Sequence, residues 1–220
     1  MNTSQTYVIV FDLDGTLVDT ARVVTDILNA LRFDLGKSGL THNKLLPWLS
    51  LGGEDLIQAA LEVGRNDAIQ YLKKFREIYF ETPTPQASVY PEVFPTLSAL
   101  TELGFHLSIC TNKPRFLANK VLEETNLDSF FRFVSASDDL PSKKPQRENL
   151  DACLNYYALK SEQAFLVGDS SVDQKLAENA RVPFVFFELG YDDGVDKNQA
   201  VFSMQSHFEL VQYLKKSLLL

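Results

Sequence analysis

The run Val8-Ile9-Val10-Phe11 is short, apolar and mostly β-branched, and it delivers Asp12-Leu13-Asp14-Gly15-Thr16-Leu17 directly at its end. A continuous apolar run of this kind suits a strand buried on both faces of a parallel sheet. Such sheets place their chemistry just beyond the carboxyl ends of their strands, which is where Asp12 and Asp14 fall. Two carboxylates this close repel each other as anions, so a cation must sit with them or one must hold a proton. Both conditions suit phosphoryl transfer. The plainer alternative is a strand followed by an ordinary Asp-Gly turn.

Past this run the spacing predicts a helix from Thr20 to about Leu35, with Val23, Val24, Ile27, Leu28 and Leu31 at helical intervals. Apolar-periodic stretches follow at Leu45 to Leu49, Glu54 to Val63 and Asp67 to Phe80, with Gly52-Gly53 as a break. No strand candidate falls between Thr20 and Phe80, so this block reads as an inserted helical domain, closed by a linker with prolines at Pro83 and Pro85. From Tyr90 the pattern alternates. Helices are expected at Val93 to Leu103, Pro114 to Glu124, Arg147 to Tyr157, Ser171 to Ala180 and Ser206 to Lys216. Strands are expected at Phe105 to Cys110, Phe131 to Ser135, Ala164 to Val167 and Phe184 to Phe187. The fold class is therefore α/β, a doubly wound parallel sheet. Residues 1–16 and 86–220 form its core and 17–85 the helical insert.

At 220 residues the chain can hold one large domain with a smaller insert. Its 21 basic and 29 acidic side chains give a net charge of -8, which argues against nucleic acid as a partner. A phosphate substrate then needs a local positive site or a metal, because the overall field repels it. Cys110 and Cys153 lack any CxxC neighbour and read as buried free thiols in a reducing compartment rather than as a disulfide. Met1 to Thr6 is polar and runs straight into the first strand, and no apolar segment approaches the length of a membrane span. The expectation is a cytoplasmic protein without a membrane contact, its final leucines, Leu218 to Leu220, packing on the core.

Polar residues collect at the ends of the predicted strands. Phe105 to Cys110 runs into Thr111-Asn112-Lys113, Ala164 to Val167 into Gly168-Asp169-Ser170-Ser171-Val172-Asp173, and Lys143-Lys144-Pro145 precedes a helix. In a doubly wound sheet these loops converge on one edge, so Asp12, Asp14, Thr111, Lys144, Asp169 and Asp173 can share a pocket. Taken singly, Thr111, Asp169 and Asp173 are also ordinary helix-capping residues. His42, His106 and His207 lie outside these segments and are assigned no chemistry.

In order and spacing, the four segments resemble the signature motifs of the haloacid dehalogenase superfamily of phosphohydrolases, over Val8 to about Gly194. The insert resembles that family's small helical cap, and Tyr90-Pro91 its return to a Rossmann-like core. The resemblance implies that Asp12 is a nucleophile forming an aspartyl phosphate. It implies that Mg2+ is held by Asp12, the backbone carbonyl of Asp14 and the carboxylate of Asp169, with Asp173 ordering the metal shell directly or through water. Asp14 would protonate the leaving oxygen and then activate water. Thr111 would hydrogen-bond a phosphoryl oxygen, with Asn112 beside it in substrate binding, and Lys144 would offset charge. Lys143 competes with Lys144, which is favoured because it immediately precedes the proline. The chain departs from the pattern at Glu92 and Arg181, where the family often has glycine, and at Arg147, where it often has proline.

The Trp48-Leu49-Ser50-Leu51-Gly52-Gly53 loop is similar to the cap specificity loop of phosphoglycolate phosphatases, and Gly190 to Gly194 to a Gly-Tyr turn in the same group. Gly52 and Gly53 would let backbone approach a small substrate, although a simple turn between two helices explains them too. The implied substrate is a small phosphorylated metabolite, 2-phosphoglycolate first, and the chain is expected to act as a monomer or weak homodimer. The competing readings are a phosphosugar mutase, a pyrophosphatase or nucleotidase on the same scaffold, and a non-enzymatic phospho-acceptor or binding protein.

Overall fold

A computed structural model describes residues 6–50 and 52–219. Six strands form one parallel sheet: β1 (Val8–Phe11), β2 (His106–Cys110), β3 (Phe133–Ser135), β4 (Ala164–Gly168), β5 (Phe184–Phe187) and β6 (Phe202–Met204), in the order β3-β2-β1-β4-β5-β6. β1 lies at the centre, with Val8–Phe11 opposite His106–Ile109 on one side and Ala164–Val167 on the other. All four of its residues are buried because alternate side chains serve two separate cores. Ile9 and Phe11 join one cluster, while Val8 and Val10 join another with Leu150, Leu166 and both cysteines.

Four consecutive helices follow β1, namely α1 (Ala21–Asp34), α2 (His42–Leu49), α3 (Gly53–Leu61) and α4 (Arg65–Glu81). They occupy the stretch read from the sequence as an insert. Their apolar stripes, including Leu28 and Leu31 of α1 and Phe75 and Tyr79 of α4, belong to the same cluster as Ile9 and Phe11. The chain leaves the core and returns to it side by side. Asp19 donates its backbone N–H to Ser88 O (2.7 Å), Tyr90 donates to Leu17 O (3.0 Å), and Val18 bridges Val89 in antiparallel fashion. The remaining helices cover the sheet: α5 (Val93–Glu102), α6 (Arg115–Glu124), α7 (Glu148–Tyr156), α8 (Ser171–Ala180) and α9 (His207–Leu218).

Two details differ from expectation. β6 has no counterpart in the sequence reading, because Phe202-Ser203-Met204 is a three-residue edge strand without a continuous apolar run. The terminal leucines do not all pack inward. Leu218 meets the core, whereas Leu219 turns out in a left-handed conformation and is 94% exposed, and Leu220 lies outside the described residues. Glu92 and Arg181, standing where glycine is frequent in the family, adopt left-handed φ values of 65° and 57°. Each non-glycine residue there costs about 1–2 kcal/mol. Arg147, the third departure, sits at the N-terminal boundary of α7. Both cysteines are buried and unpaired. Among the described residues no helix is long and apolar enough to cross a membrane.

Candidate active site

Three adjacent strands deliver most of the polar residues to one edge of the sheet. Asp12 follows β1, with its backbone N–H donated to Val167 O (2.9 Å), and Thr111 follows β2 with its N–H donated to Ser135 O (2.9 Å). Asp169 and Asp173 follow β4, where Ser170 caps α8. The Ser170 hydroxyl accepts from Asp173 N–H (3.3 Å) and donates to Asp173 Oδ2 (2.6 Å). Lys144 arrives from the loop before α7 and lies between two carboxylates, 2.8 Å from Asp12 Oδ1 and 2.7 Å from Asp173 Oδ1. Lys143 turns away and faces Asp55 of α3 at 3.6 Å.

Asp12, Asp169 and Asp173 are all buried and can bring one carboxylate oxygen each within 4.8 Å of the others. Burial pushes the Asp12 carboxyl from 3.8 up to about 7, with Lys144 opposing the shift and Asp173 adding to it. Burial likewise raises Asp169 well above the carboxylate range, reinforced by Asp173 and Asp12. Lys144 keeps its charge although burial works against it, because Asp12 and Asp173 hold its ammonium well above the ordinary lysine range. The contact from Lys144 to Asp12 lies outside hydrogen-bond angles, so Asp12 Oδ1 remains a buried oxygen without a donor. Three carboxylates against one lysine, with that oxygen unsatisfied, fit a hard divalent cation such as Mg2+, which takes oxygen ligands.

The acidic cluster is held from a second direction. Asp169 Oδ1 accepts from the Thr16 hydroxyl (2.7 Å), and its Oδ2 accepts from the Tyr191 backbone N–H (2.7 Å). A Cβ built on Gly15 would lie 2.2 Å from Asp169 Oδ2, and one built on Gly190 would lie 2.2 Å from Asp169 Cβ. Only glycine lets these two turns close around Asp169.

Asp14 belongs to a separate set, its carboxylate lying outside the three-carboxylate cluster. Its Oδ1 accepts from the Thr20 hydroxyl (2.6 Å), and its Oδ2 pairs with Lys113 Nζ at 2.9 Å. Lys113 is buried, sits 4.4 Å from the centroid of the Tyr79 ring on α4, and is kept charged against desolvation chiefly by Asp14. Tyr191 completes this wall. Its hydroxyl accepts from Thr20 N–H (2.9 Å) and donates to Asp19 Oδ1 (3.2 Å).

The sheet edge and the insert enclose a cleft bordered by Asp12, Asp14, Thr111, Asn112 and Lys144 below and by Gly52, Gly53, Leu72 and Phe75 above. Asp169 and Asp173 lie behind its floor. Asn112 uses both ends of its amide on the Lys144 backbone, accepting from Lys144 N–H (3.0 Å) and donating to Lys144 O (3.3 Å). It thereby fixes the lysine loop against the end of β2. Gly52 and Gly53 open α3 with φ of 58° and 59° and bring that turn against the core loops, a Cβ on Gly53 falling 3.9 Å from Lys143 Nζ. Leu51 of the same loop lies outside the described residues. Ser50 donates to Asp193 Oδ2 (2.8 Å), whose other oxygen accepts from Ser171 N–H (2.6 Å) at the start of α8.

Sequence reasoning passed over Lys113, Thr16, Thr20, Tyr79 and Tyr191. Lys113 and Tyr191 stood inside segments already singled out, Thr111-Asn112-Lys113 and Gly190 to Gly194, so position marked them but not their contacts. Thr16 stood in the first polar run and Thr20 at the start of the first predicted helix, and neither was given a role there.

The family model of the haloacid dehalogenase-like hydrolases matches residues 9–187, and the chain belongs to that family. Within it the chain is a phosphatase. It is 34% identical over 187 residues to a plasmid-encoded phosphoglycolate phosphatase of Cupriavidus necator, covering 83% of this chain and 81% of that one. It is 31% identical over 189 residues to a phosphoglycolate phosphatase of Rhodobacter capsulatus, covering 83% and 84%. Among solved structures, one described as a predicted phosphoglycolate phosphatase from Haemophilus somnus superposes with a TM-score of 0.87 at 25% identity, over 96% of this chain and 99% of that one.

Proposed function

We propose that the chain hydrolyses a small phosphomonoester, 2-phosphoglycolate first among them, through an aspartyl phosphate on Asp12. The observation that carries this reading is the buried Asp12 carboxylate at the floor of the cleft, sharing Lys144 with Asp173 while Asp14 stands beside it on its own supports. Asp12 attacks phosphorus in line, forming an acyl phosphate and breaking the phosphorus–oxygen bond to the alcohol. Asp14 relays a proton to the departing oxygen. It then takes one from water as that water attacks the phosphoryl group, so inorganic phosphate leaves and Asp12 is restored. Thr111 holds a phosphoryl oxygen, while Lys144 offsets charge and Asn112 sets its position. Asp12, the Asp14 backbone carbonyl and Asp169 would hold Mg2+, with Asp173 ordering its shell, and the ion would offset the charge shared by nucleophile and phosphate.

The helical insert acts as a cap that excludes water when shut, hinged at Thr16 to Thr20 and at Glu81 to Gln86. Ser50 on Asp193 and Asp55 near Lys143 join it to the core. The chain works as a monomer or weak homodimer, and its two buried free thiols suit a reducing cytoplasm. The phosphoglycolate preference is supported by the names of its relatives and by the narrow glycine approach from α3.

The test is phosphate release from a panel of monoesters, led by 2-phosphoglycolate, with magnesium and with chelator. Magnesium-dependent release greatest on 2-phosphoglycolate is expected. Release undiminished by chelator overturns the metal assignment, and preference for another ester overturns the substrate. Transfer between positions of a sugar without stoichiometric phosphate supports a mutase instead.

A further inference from the structure

The cations around the cleft are committed to carboxylates of the protein itself, with one exception. Lys144 serves Asp12 and Asp173, Lys113 serves Asp14, and Lys143 at the rim faces Asp55. Arg76 of α4 borders the same cleft yet makes no ion pair or hydrogen bond with any of the described residues. It sits one turn from Leu72 and directly after Phe75, on a wall otherwise apolar with Val24 and Leu56. Its other side borders an outer groove that also holds Glu81, and where Glu54 and Glu77 are engaged by Arg65 (3.8 Å) and Lys73 (4.0 Å); none of these three carboxylates pairs with Arg76.

An unpaired guanidinium against apolar side chains, in a chain of net charge -8, is positioned for an anion brought from outside. With the phosphoryl group at the Asp12 floor, the remainder of a bound ester meets α3 and α4. We propose that Arg76 recognises a carboxylate on the leaving group, so that the enzyme selects phosphorylated short hydroxy acids over neutral phosphate esters. This inference rests on the reading of the cleft as the phosphatase site. The planar fork of arginine matches a carboxylate with two parallel hydrogen bonds, which lysine reproduces only in part.

The experiment compares 2-phosphoglycolate with 2-hydroxyethyl phosphate, which replaces the carboxylate by a neutral hydroxymethyl group, in the wild type, Arg76→Gln and Arg76→Lys. Loss of a charge-assisted contact lowers kcat/KM for 2-phosphoglycolate by about 10- to 100-fold in Arg76→Gln and by less in Arg76→Lys. The neutral ester should change by less than about 3-fold, since it never used the contact. Equal losses on both esters, or an unchanged value for 2-phosphoglycolate, overturn the assignment. A second arm reads binding without turnover: calorimetry of 2-phosphoglycolate on Asp12→Asn with and without Arg76→Gln, where a 10- to 100-fold weaker Kd is expected and an unchanged Kd refutes the role. Wild-type phosphate release that favours neutral esters also refutes Arg76 while leaving the phosphatase reading intact. Release from no ester removes the phosphatase reading, and the calorimetric arm still decides Arg76.

Discussion

Asp12 and Lys144 carry opposite burdens in the same buried space. Burial, with Asp173 adding to it and Lys144 opposing, pushes the Asp12 carboxyl up to about 7. At pH 8, without divalent metal, it is ionised at a cost to the fold, so Asp12→Asn should melt at a higher temperature than the wild type. Its turnover should nonetheless fall by at least about 10⁴-fold, because the amide does not attack phosphorus. Lower thermal stability of Asp12→Asn in that assay contradicts the electrostatic account, and residual turnover near the wild type contradicts the mechanism. Lys144→Met reverses the balance, leaving three carboxylates uncompensated. Chemical denaturation should show a loss of roughly 3–5 kcal/mol. Asp12, Asp14, Thr111, Lys144, Asp169 and Asp173 could be singled out from sequence because each ends a strand or opens a helix in a loop bound for one edge. Lys113 could not, since its partners Asp14 and Tyr79 come from β1's end and from α4, separated along the chain and joined only by packing.

At the level of elements, the apolar runs of β1, β2, β4 and β5 and the amphipathic stripes of the helices were legible because each is long enough to set its own period. β6 was not, since Phe202-Ser203-Met204 has no continuous apolar run, whereas the equally short edge strand β3 fell within the predicted Phe131 to Ser135. The turn at Gly190 is a sharper case. Gly190→Ala sets a methyl against Asp169, so magnesium-dependent kcat/KM should drop by about 10- to 100-fold as the carboxylate shifts, by order-of-magnitude analogy with lost supports of metal ligands. Unchanged kinetics at any magnesium concentration contradict that role. α9 offers a pH readout. His207 at its start places Nε2 2.7 Å from Thr16 O, and burial lowers its pKa below 6.5. A folded-state value below the unfolded one means His207 contributes full stability above pH 6.5 and loses it as the pH falls. Melting curves from pH 8 to pH 5 should therefore decline less steeply for His207→Gln, which keeps a donor but does not titrate. Parallel curves for the two proteins show that this imidazole plays no part in the acid response.

For the whole molecule, the parallel sheet and the run of four consecutive helices were both readable from the alternation of elements and its interruption, but the way they meet was not. Polar joins between them, such as Ser50 with Asp193 and Lys143 with Asp55, link residues far apart in sequence through flexible side chains. The acidic cluster belongs to this scale because Asp12 and Asp169 bring the ends of β1 and β4 together. Magnesium at about 100 times its Kd should raise stability by about 2.7 kcal/mol, a Tm rise of roughly 5–10 °C, and chelator should reverse it. A Tm indifferent to magnesium argues that the acidic cluster binds no ion.

The paired ribbon of Leu17–Asp19 and Ser88–Tyr90 gives the chain a particular kind of freedom. Because the outgoing and incoming segments are already hydrogen-bonded neighbours, everything between them is an excursion that begins and ends at one place. An insertion, deletion or wholesale exchange beyond that ribbon leaves the ends of β1, β2 and β4 where they were. Such a cassette can be retuned toward new leaving groups while the machinery that cuts the phosphate ester is inherited unchanged.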